Sequence, residues 1–257
     1  MTNLKKLEKS KGALLFAFNT DTVDYVKIAE RASRLIEQTL RIPTTIISNN
    51  PTPLNKNTRV GELKAGTQWF NNDRYTAYQS SPYDTTILLD SDYLMLDNSL
   101  EKIMETVEDY AIMLNNQEFD GPKNCRNSDL QQEGVWATAI VFNKTPKSKM
   151  LFDLVGRIQR NYTYYCRLHH MQSSTFRNDY AFAIADIMLN GYSRGPGIPW
   201  TMLTAPGVLK GLEIKDNKII VRKDTESYVI PRQCLHVMDK EYLLSDNYGK
   251  FVEAICT

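Results

Sequence analysis

The chain has 257 residues, 42% of them hydrophobic, which suits one α/β domain with a sizeable buried core. Its 31 Lys and Arg balance 30 Asp and Glu, so the net charge of +1 excludes a global pull towards nucleic acid or membrane and leaves only local patches. Cys125, Cys166, Cys234 and Cys256 form no CxxC pair, which argues against zinc and disulfide frameworks and for reduced thiols in a cytoplasmic protein.

The N-terminus is basic, but the apolar stretch Ala13 to Phe18 is too short for a signal peptide or a membrane span, so no membrane association is expected. The run from Gly12 to Phe18 reads as a buried parallel strand. Val23, Val26, Ala29, Leu35, Ile36 and Leu40 then fall at helical spacing, Pro43 stops the helix, and Thr44 to Ile47 reads as a second strand. Strand, helix and strand together make a βαβ unit, the start of a doubly wound sheet. Asn49 to Ala65 is a polar loop, Gln68 to Gln79 a helix, and Thr85 to Leu89 another buried strand. Asn98 or Ser99 caps a helix expected to run to about Met113, followed by a polar loop from Asn115 to Gln132. Val135 to Phe142 reads as a strand, Lys147 to Arg160 as a helix continuing weakly to Arg167, and Asn178 to Leu189 as a helix ending at Asn190-Gly191. Gly195 to Trp200 reads as irregular. Short strands follow at Leu212–Ile214, Lys218–Arg222 and Tyr228–Ile230, with Asp216-Asn217 as a hairpin turn.

The chemistry-bearing motif is Leu88-Leu89-Asp90-Ser91-Asp92. Ligands of open α/β sheets bind beyond the carboxyl ends of the strands. Two carboxylates one residue apart at such an end can converge on a hard cation, Mn²⁺ or Mg²⁺, set against a diphosphate. The same pattern also occurs in plain surface turns. No P-loop, Ser-His-Asp order or Rossmann glycine fingerprint is present, against NTPase, hydrolase and dehydrogenase readings.

The stretch from Asp73-Arg74-Tyr75 through Pro82-Tyr83-Asp84 to Asp90-Ser91-Asp92 resembles the surroundings of the metal motif in GT-A glycosyltransferases, closest to the glycogenin and galactosyltransferase-like group, family 8. Trp136 to Thr145, Asn178-Asp179 and Leu235-His236 to Lys240 are similar to later segments of that group. The sequence departs from the group in carrying Asp239 where a Gly is usual, in lacking a following Lys-Pro-Trp, and in having Ala137-Thr138-Ala139 in place of an Asn-Ala/Ser-Gly triplet.

The resemblance implies an α/β GT-A (Rossmann-like) fold: a mixed central sheet with helices on both faces and a small C-terminal β-containing region. It implies a single domain over 1–257, with a nucleotide-binding half over about 11–114 and an acceptor- and metal-completing half over about 133–257. Asp90, Asp92 and His236 would hold Mn²⁺ or Mg²⁺. Arg74, Ser91 and Lys240 would attend the donor phosphates, and Phe18, Asn19 and Thr20 would seat the nucleoside. Asp179, with Asp92, would act at the transferred sugar. The implied activity is hexosyl or pentosyl transfer from a nucleotide sugar, most simply a UDP-sugar, to a hydroxyl acceptor. That acceptor is a glycan, a protein, or a hydroxymethylated DNA base of the kind modified by phage enzymes. A non-catalytic sugar-nucleotide binding module and a nucleotidyltransferase are the alternatives.

Taken without the resemblance, each residue keeps a second reading. His236 sits in an apolar stretch where a structural role is common. Arg74 suits an ion pair with Asp73 or Asp84, and Asp179 suits the dipole at a helix start. Tyr162, Tyr164 and Tyr165 with Arg160 and Arg167 fit either core and interface or a stacking surface for an acceptor base. The loops at 49–65 and 115–132 are candidates for a lid over the donor.

Overall fold

Alternation in the first strand decides the layering. In the computed structural model, Leu14 and Phe16 of β1 (Lys11–Ala17) pack on one face of the sheet, and Ala13, Leu15 and Ala17 on the other. The structure describes residues 9–52, 57–61, 72–119, 123–124, 135–171, 175–224 and 226–257. After β1 come α1 (Tyr25–Leu40), β2 (Thr44–Ser48), β3 (Arg59–Val60), a 3-10 turn (Asn72–Thr76), α2 (Ala77–Ser80), β4 (Thr85–Leu89) and β5 (Tyr93–Leu94). The middle of the chain forms α3 (Ser99–Thr106), β6 (Tyr110–Glu118), β7 (Lys123–Asn124), β8 (Trp136–Asn143), α4 (Pro146–Arg160), α5 (Tyr162–Leu168) and α6 (Asn178–Leu189). The rest forms β9 (Gly197–Ala205), β10 (Gly211–Lys215), β11 (Lys218–Arg222), β12 (Ser227–Pro231), β13 (Leu235–Val237), α7 (Lys240–Leu244) and α8 (Asp246–Cys256).

The main sheet has the order β3-β2-β1-β4-β8-β6-β9-β13-β5, with β7 beside β6. β1 is parallel to β2 and β4, while β8 runs antiparallel to both β4 and β6. β6, β9 and β13 are mutually parallel in sequence across the sheet. One face is covered by α4 and α6 through Leu151, Phe152 and Phe182, and the other by α1 and α3 through Ala29, Ile36, Leu100 and Ile103. A third cluster joins α7 and α8 to β13 and to the separate antiparallel sheet β10-β11-β12. The mixed α/β architecture with a small C-terminal β region is therefore the one expected. Among the described residues no helix is long and apolar enough to cross a membrane.

The short strands β3, β5, β7 and β13 were not read from the sequence, and two long strands depart from it. The helix expected to reach Met113 ends at Thr106, and Tyr110–Glu118 is a strand in the middle of the sheet. Leu100, Ile103, Met104, Val107 and Ala111 continue a helical spacing across the true end, and this hid the change of period. Gly195 to Trp200, read as irregular, opens onto β9, whose pairing with β6 jumps from Ile198 to Thr201. That irregularity carries Pro199 and Trp200, which lets a proline enter an internal strand. Gln68 to Asn71 of the expected helix lie outside the described residues, and the remainder is the 3-10 turn and α2. Of the two lid candidates, 53–56, 62–65, 120–122 and 125–132 lie outside the described residues, while Arg59–Val60 and Asn115–Glu118 are strand. The hairpin turn is as read, with Asp216 at φ 50° and Asn217 at φ 56°. Cys166, Cys234 and Cys256 are free thiols, and Cys125 lies outside the described residues.

Gly12 is required by close approach. A Cβ there would overlap the ring of Tyr83, whose hydroxyl is held 2.9 Å from Thr45 Oγ1. The anchored ring cannot swing away, so Gly12→Ala is expected to lower the unfolding free energy by about 1–3 kcal/mol in urea titration. An unchanged midpoint would show that Tyr83 yields.

Candidate active site

The turn Asp90-Ser91-Asp92 follows β4 and is tied down on both sides. Asp90 N–H donates to Thr138 O of β8 at 2.9 Å, and Val237 N–H of β13 donates to Asp92 O at 2.9 Å. Both carboxylates line a cleft of about 290 Å³ beyond the carboxyl end of β4. Arg74 from the 3-10 turn, Asp179 from the start of α6, His236 from β13 and Lys240 from the start of α7 line the same cleft. Because β8 is antiparallel to β4, its first residues, Trp136 to Thr138, also reach this edge.

Each carboxylate already faces a cation. Arg74, 1% exposed, donates through Nη1 to Asp90 Oδ1, so its partner is neither of the two aspartates considered from sequence. Lys240 Nζ donates to Asp92 Oδ2, and His236 Nε2 lies 3.6 Å from the same oxygen. Burial pushes the Asp92 carboxyl up, yet Lys240 and then His236 outweigh it and hold the group below the usual carboxylate range. For Lys240, burial lowers the ammonium and Asp92 more than restores it. Asp179 behaves oppositely: burial raises its carboxyl despite the Ala137 N–H at 2.9 Å and Arg177 Nη2 at 3.2 Å. Asp239 caps α7 by accepting from Tyr242 N–H at 3.0 Å, and so sets the direction from which Lys240 enters the cleft.

The donor set suits a hard divalent cation: carboxylate oxygens and an imidazole nitrogen. Asp92 Oδ1 is buried without a hydrogen-bond partner, an acceptor left over for a ligand. The arrangement is open rather than closed, since among the described residues no three His, Cys, Asp or Glu side chains are gathered at metal-holding distance. Asp90 is turned to Arg74, and Asp92 and His236 stand together.

Behind His236 lies a pair that sequence reasoning did not single out. Thr204 Oγ1 is 3.3 Å from His236 Nδ1 and donates to the nearer Asn116 Oδ1. A hydroxyl has one proton, and Thr204 gives it to Asn116, so the imidazole must carry its own proton on Nδ1. That leaves Nε2 to face Asp92, with a proton when the ring is charged and, when it is neutral, with the lone pair a metal ligand needs. Thr204→Val is expected to weaken Mn²⁺ binding by about 10–100-fold in calorimetry, with Thr204→Ser near wild type. Equal affinity in all three proteins would remove the positioning role.

Four predicted residues stand outside the cleft lining. Phe18 is buried in the core, and Ser91 is buried within the turn. Asn19 Oδ1 accepts from Val26 N–H at 2.8 Å and Thr20 Oγ1 from Val23 N–H at 2.9 Å, so both side chains shape the approach to α1. Phe176, Arg177 and Met238 line the cleft unforeseen. Tyr25, the first residue of α1, lies within electrostatic reach of Lys240, Asp92 and Asp90. Only Arg177 had a signal, its place two residues before Asp179.

The fold and the cleft thus define a mixed α/β domain with an acidic motif and built-in cations at one sheet edge. No family model matches the chain, and no curated protein matches it in sequence. Among solved structures, the galactosyltransferase LgtC in complex with donor and acceptor sugar analogues is similar at TM-score 0.46 and 14% identity, over 68% of this chain and 69% of that one. Mouse xyloside xylosyltransferase 1 gives 0.44 and 11%, over 73% of this chain and 84% of that one. The glycosyltransferase GlyE of Streptococcus pneumoniae TIGR4 gives 0.44 and 12%, over 74% of this chain but only 45% of GlyE. Likenesses of this size assign neither family nor activity, and function rests on the cleft itself.

Proposed function

We propose that the chain is a glycosyltransferase that binds a nucleotide-sugar diphosphate in this cleft and moves its sugar to a hydroxyl acceptor. The observation that carries the reading is convergence: Arg74, Asp90, Asp92, Asp179, His236 and Lys240, from distant parts of the chain, line one cleft at the carboxyl edge of the sheet. A divalent cation, Mn²⁺ or Mg²⁺, held by Asp90, Asp92 and His236, would neutralise the diphosphate and stabilise it as the leaving group. Lys240 and Arg74 supply fixed positive charge beside the same phosphates, and the burial of Asp92 and His236 keeps water from screening them. Asp179, buried against the start of β8, would contact the transferred sugar, and it would be the candidate base if configuration inverts. UDP is the donor nucleotide of choice on the resemblance, and backbone groups near Asn19 and Thr20 would meet the nucleoside because their side chains are engaged.

The test is release of nucleoside diphosphate from UDP-, GDP- and ADP-sugars with Mn²⁺. Chelator-sensitive release from one donor supports the reading. Binding without release marks a sugar-nucleotide binding module instead. Pyrophosphate formation from a nucleoside triphosphate and a sugar phosphate would replace the reading by nucleotidyl transfer.

A further inference from the structure

The near-zero net charge conceals a segregation. From Lys144 to Asn178 the chain carries Lys144, Lys147, Lys149, Arg157, Arg160, Arg167 and Arg177 against the single acid Asp153, leaving the remainder of the chain net acidic. Asp153 is already neutralised by Lys149 at 2.6 Å. Lys144 donates to Ser81 O, Lys147 lies over the Tyr110 ring and Arg177 pairs with Asp179. Arg157, Arg160 and Arg167 are exposed, and among the described residues their guanidinium groups make no ion pair or hydrogen bond. Tyr164 stands in the same stretch with 63% of its surface exposed, its ring meeting Tyr165 edge-on at 5.3 Å.

The face adjoins the cleft. β8 begins at the cleft and ends away from it, so α4 runs back and brings its C-terminal half to the cleft side. Gly156 packs against the ring of Tyr75, the neighbour of Arg74, and the Tyr162 ring lies 5.1 Å from that of Phe176, a lining residue. The C-terminal half of α4 and the start of α5, which carry these residues, therefore lie beside the cleft lining.

We propose that this α4–α5 face docks a nucleic-acid strand through Arg157, Arg160, Arg167 and Tyr164. Unpaired guanidinium forks suit phosphate oxygens, and an exposed ring between Arg160 and Arg167 in the sequence offers a platform on which any base stacks. A lipid surface is the poorer match: the large apolar side chains exposed on α4 and α5 are Met150, Tyr164 and Leu168, of which only Tyr164 and Leu168 lie within a helical turn of each other, too short a stripe to insert. That the strand carries the acceptor hydroxyl rests on the glycosyltransferase reading; the docking itself does not.

Fluorescence anisotropy of the full chain with a labelled single strand of about 20 nucleotides tests it, the probe being longer than one typical site. Three phosphate contacts predict about 20-fold weaker binding between about 50 and 200 mM salt. Replacing Arg157, Arg160 and Arg167 together by Ala removes the salt-dependent binding, whereas Tyr164→Ala weakens binding and leaves the salt slope unchanged. Thermal unfolding and UDP-sugar binding of these surface variants stay as in wild type. The proposal is overturned if the wild type fails to bind the strand at low salt, if the triple variant binds like wild type, or if phosphatidylserine vesicles bind this face more tightly than the strand. Strand binding without any donor binding would leave the docking face standing and sink the glycosyltransferase reading; donor binding without strand binding would do the reverse.

Discussion

Asp92→Asn is expected to reduce sugar transfer by about a thousandfold, the loss seen when one preorganised charge-stabilising group is removed from a dry site. Asp92 is 9% exposed and faces both Lys240 and His236. The amide keeps the shape but gives up the negative charge that draws a cation into the cleft, and it leaves the Lys240 ammonium without its counter-charge. Donor affinity should fall together with turnover, because the same charge assembles the diphosphate site. Steady-state kinetics on the variant, with circular dichroism to confirm folding, decide the matter. Transfer within a few-fold of wild type would show that the diphosphate is held elsewhere.

The largest stability effect is expected at the other aspartate. Asp90→Ala should cost about 3–5 kcal/mol, because it strands a buried cation. Arg74 is 1% exposed, and among the described residues Asp90 is the carboxylate it pairs with. Its other bond, Nη2 to Thr138 O at 3.5 Å, is too long to compensate. Removing both charges is the control: with Arg74→Met added, most of the lost stability should return, since a thioether chain fills the space without needing a counter-charge. Urea unfolding of the two single variants and the double variant gives the coupling directly. A single variant as stable as wild type would mean that water reaches Arg74. Asp90 thus serves the fold as well as the cleft, and its variants need a stability measurement before a kinetic one.

Much of this was legible along the chain, for local reasons. β1, α1 and β2 follow one another with short connections, so their periods declare them without tertiary help. The placement of Asp90 and Asp92 after a buried strand put them at the ligand-binding edge. β6 and β9 were hidden for opposite reasons: Val107 and Ala111 extend a helical spacing past the end of α3, and Pro199 argues against a strand that an irregular pairing nevertheless accommodates. Arg74 and Lys240 were named for the site through the resemblance, but their pairing with the two carboxylates was not legible, since they reach them across 16 and 148 residues of chain. The Thr204–Asn116 pair behind His236 spans 88 residues and carries no motif. Net charge misled as well, because a sum over the chain erases the basic stretch of α4 and α5.

The measurement closest to the central claim is thermal unfolding with Mn²⁺ and each of UDP-, GDP- and ADP-sugar, on wild type and Asp92→Asn. A ligand at 100 times its dissociation constant stabilises by about 2.7 kcal/mol, a shift of several degrees that is easily read. The cleft predicts a metal-dependent rise with one nucleotide sugar that Asp92→Asn loses. No rise with any donor, or the same rise in both proteins, would contradict it.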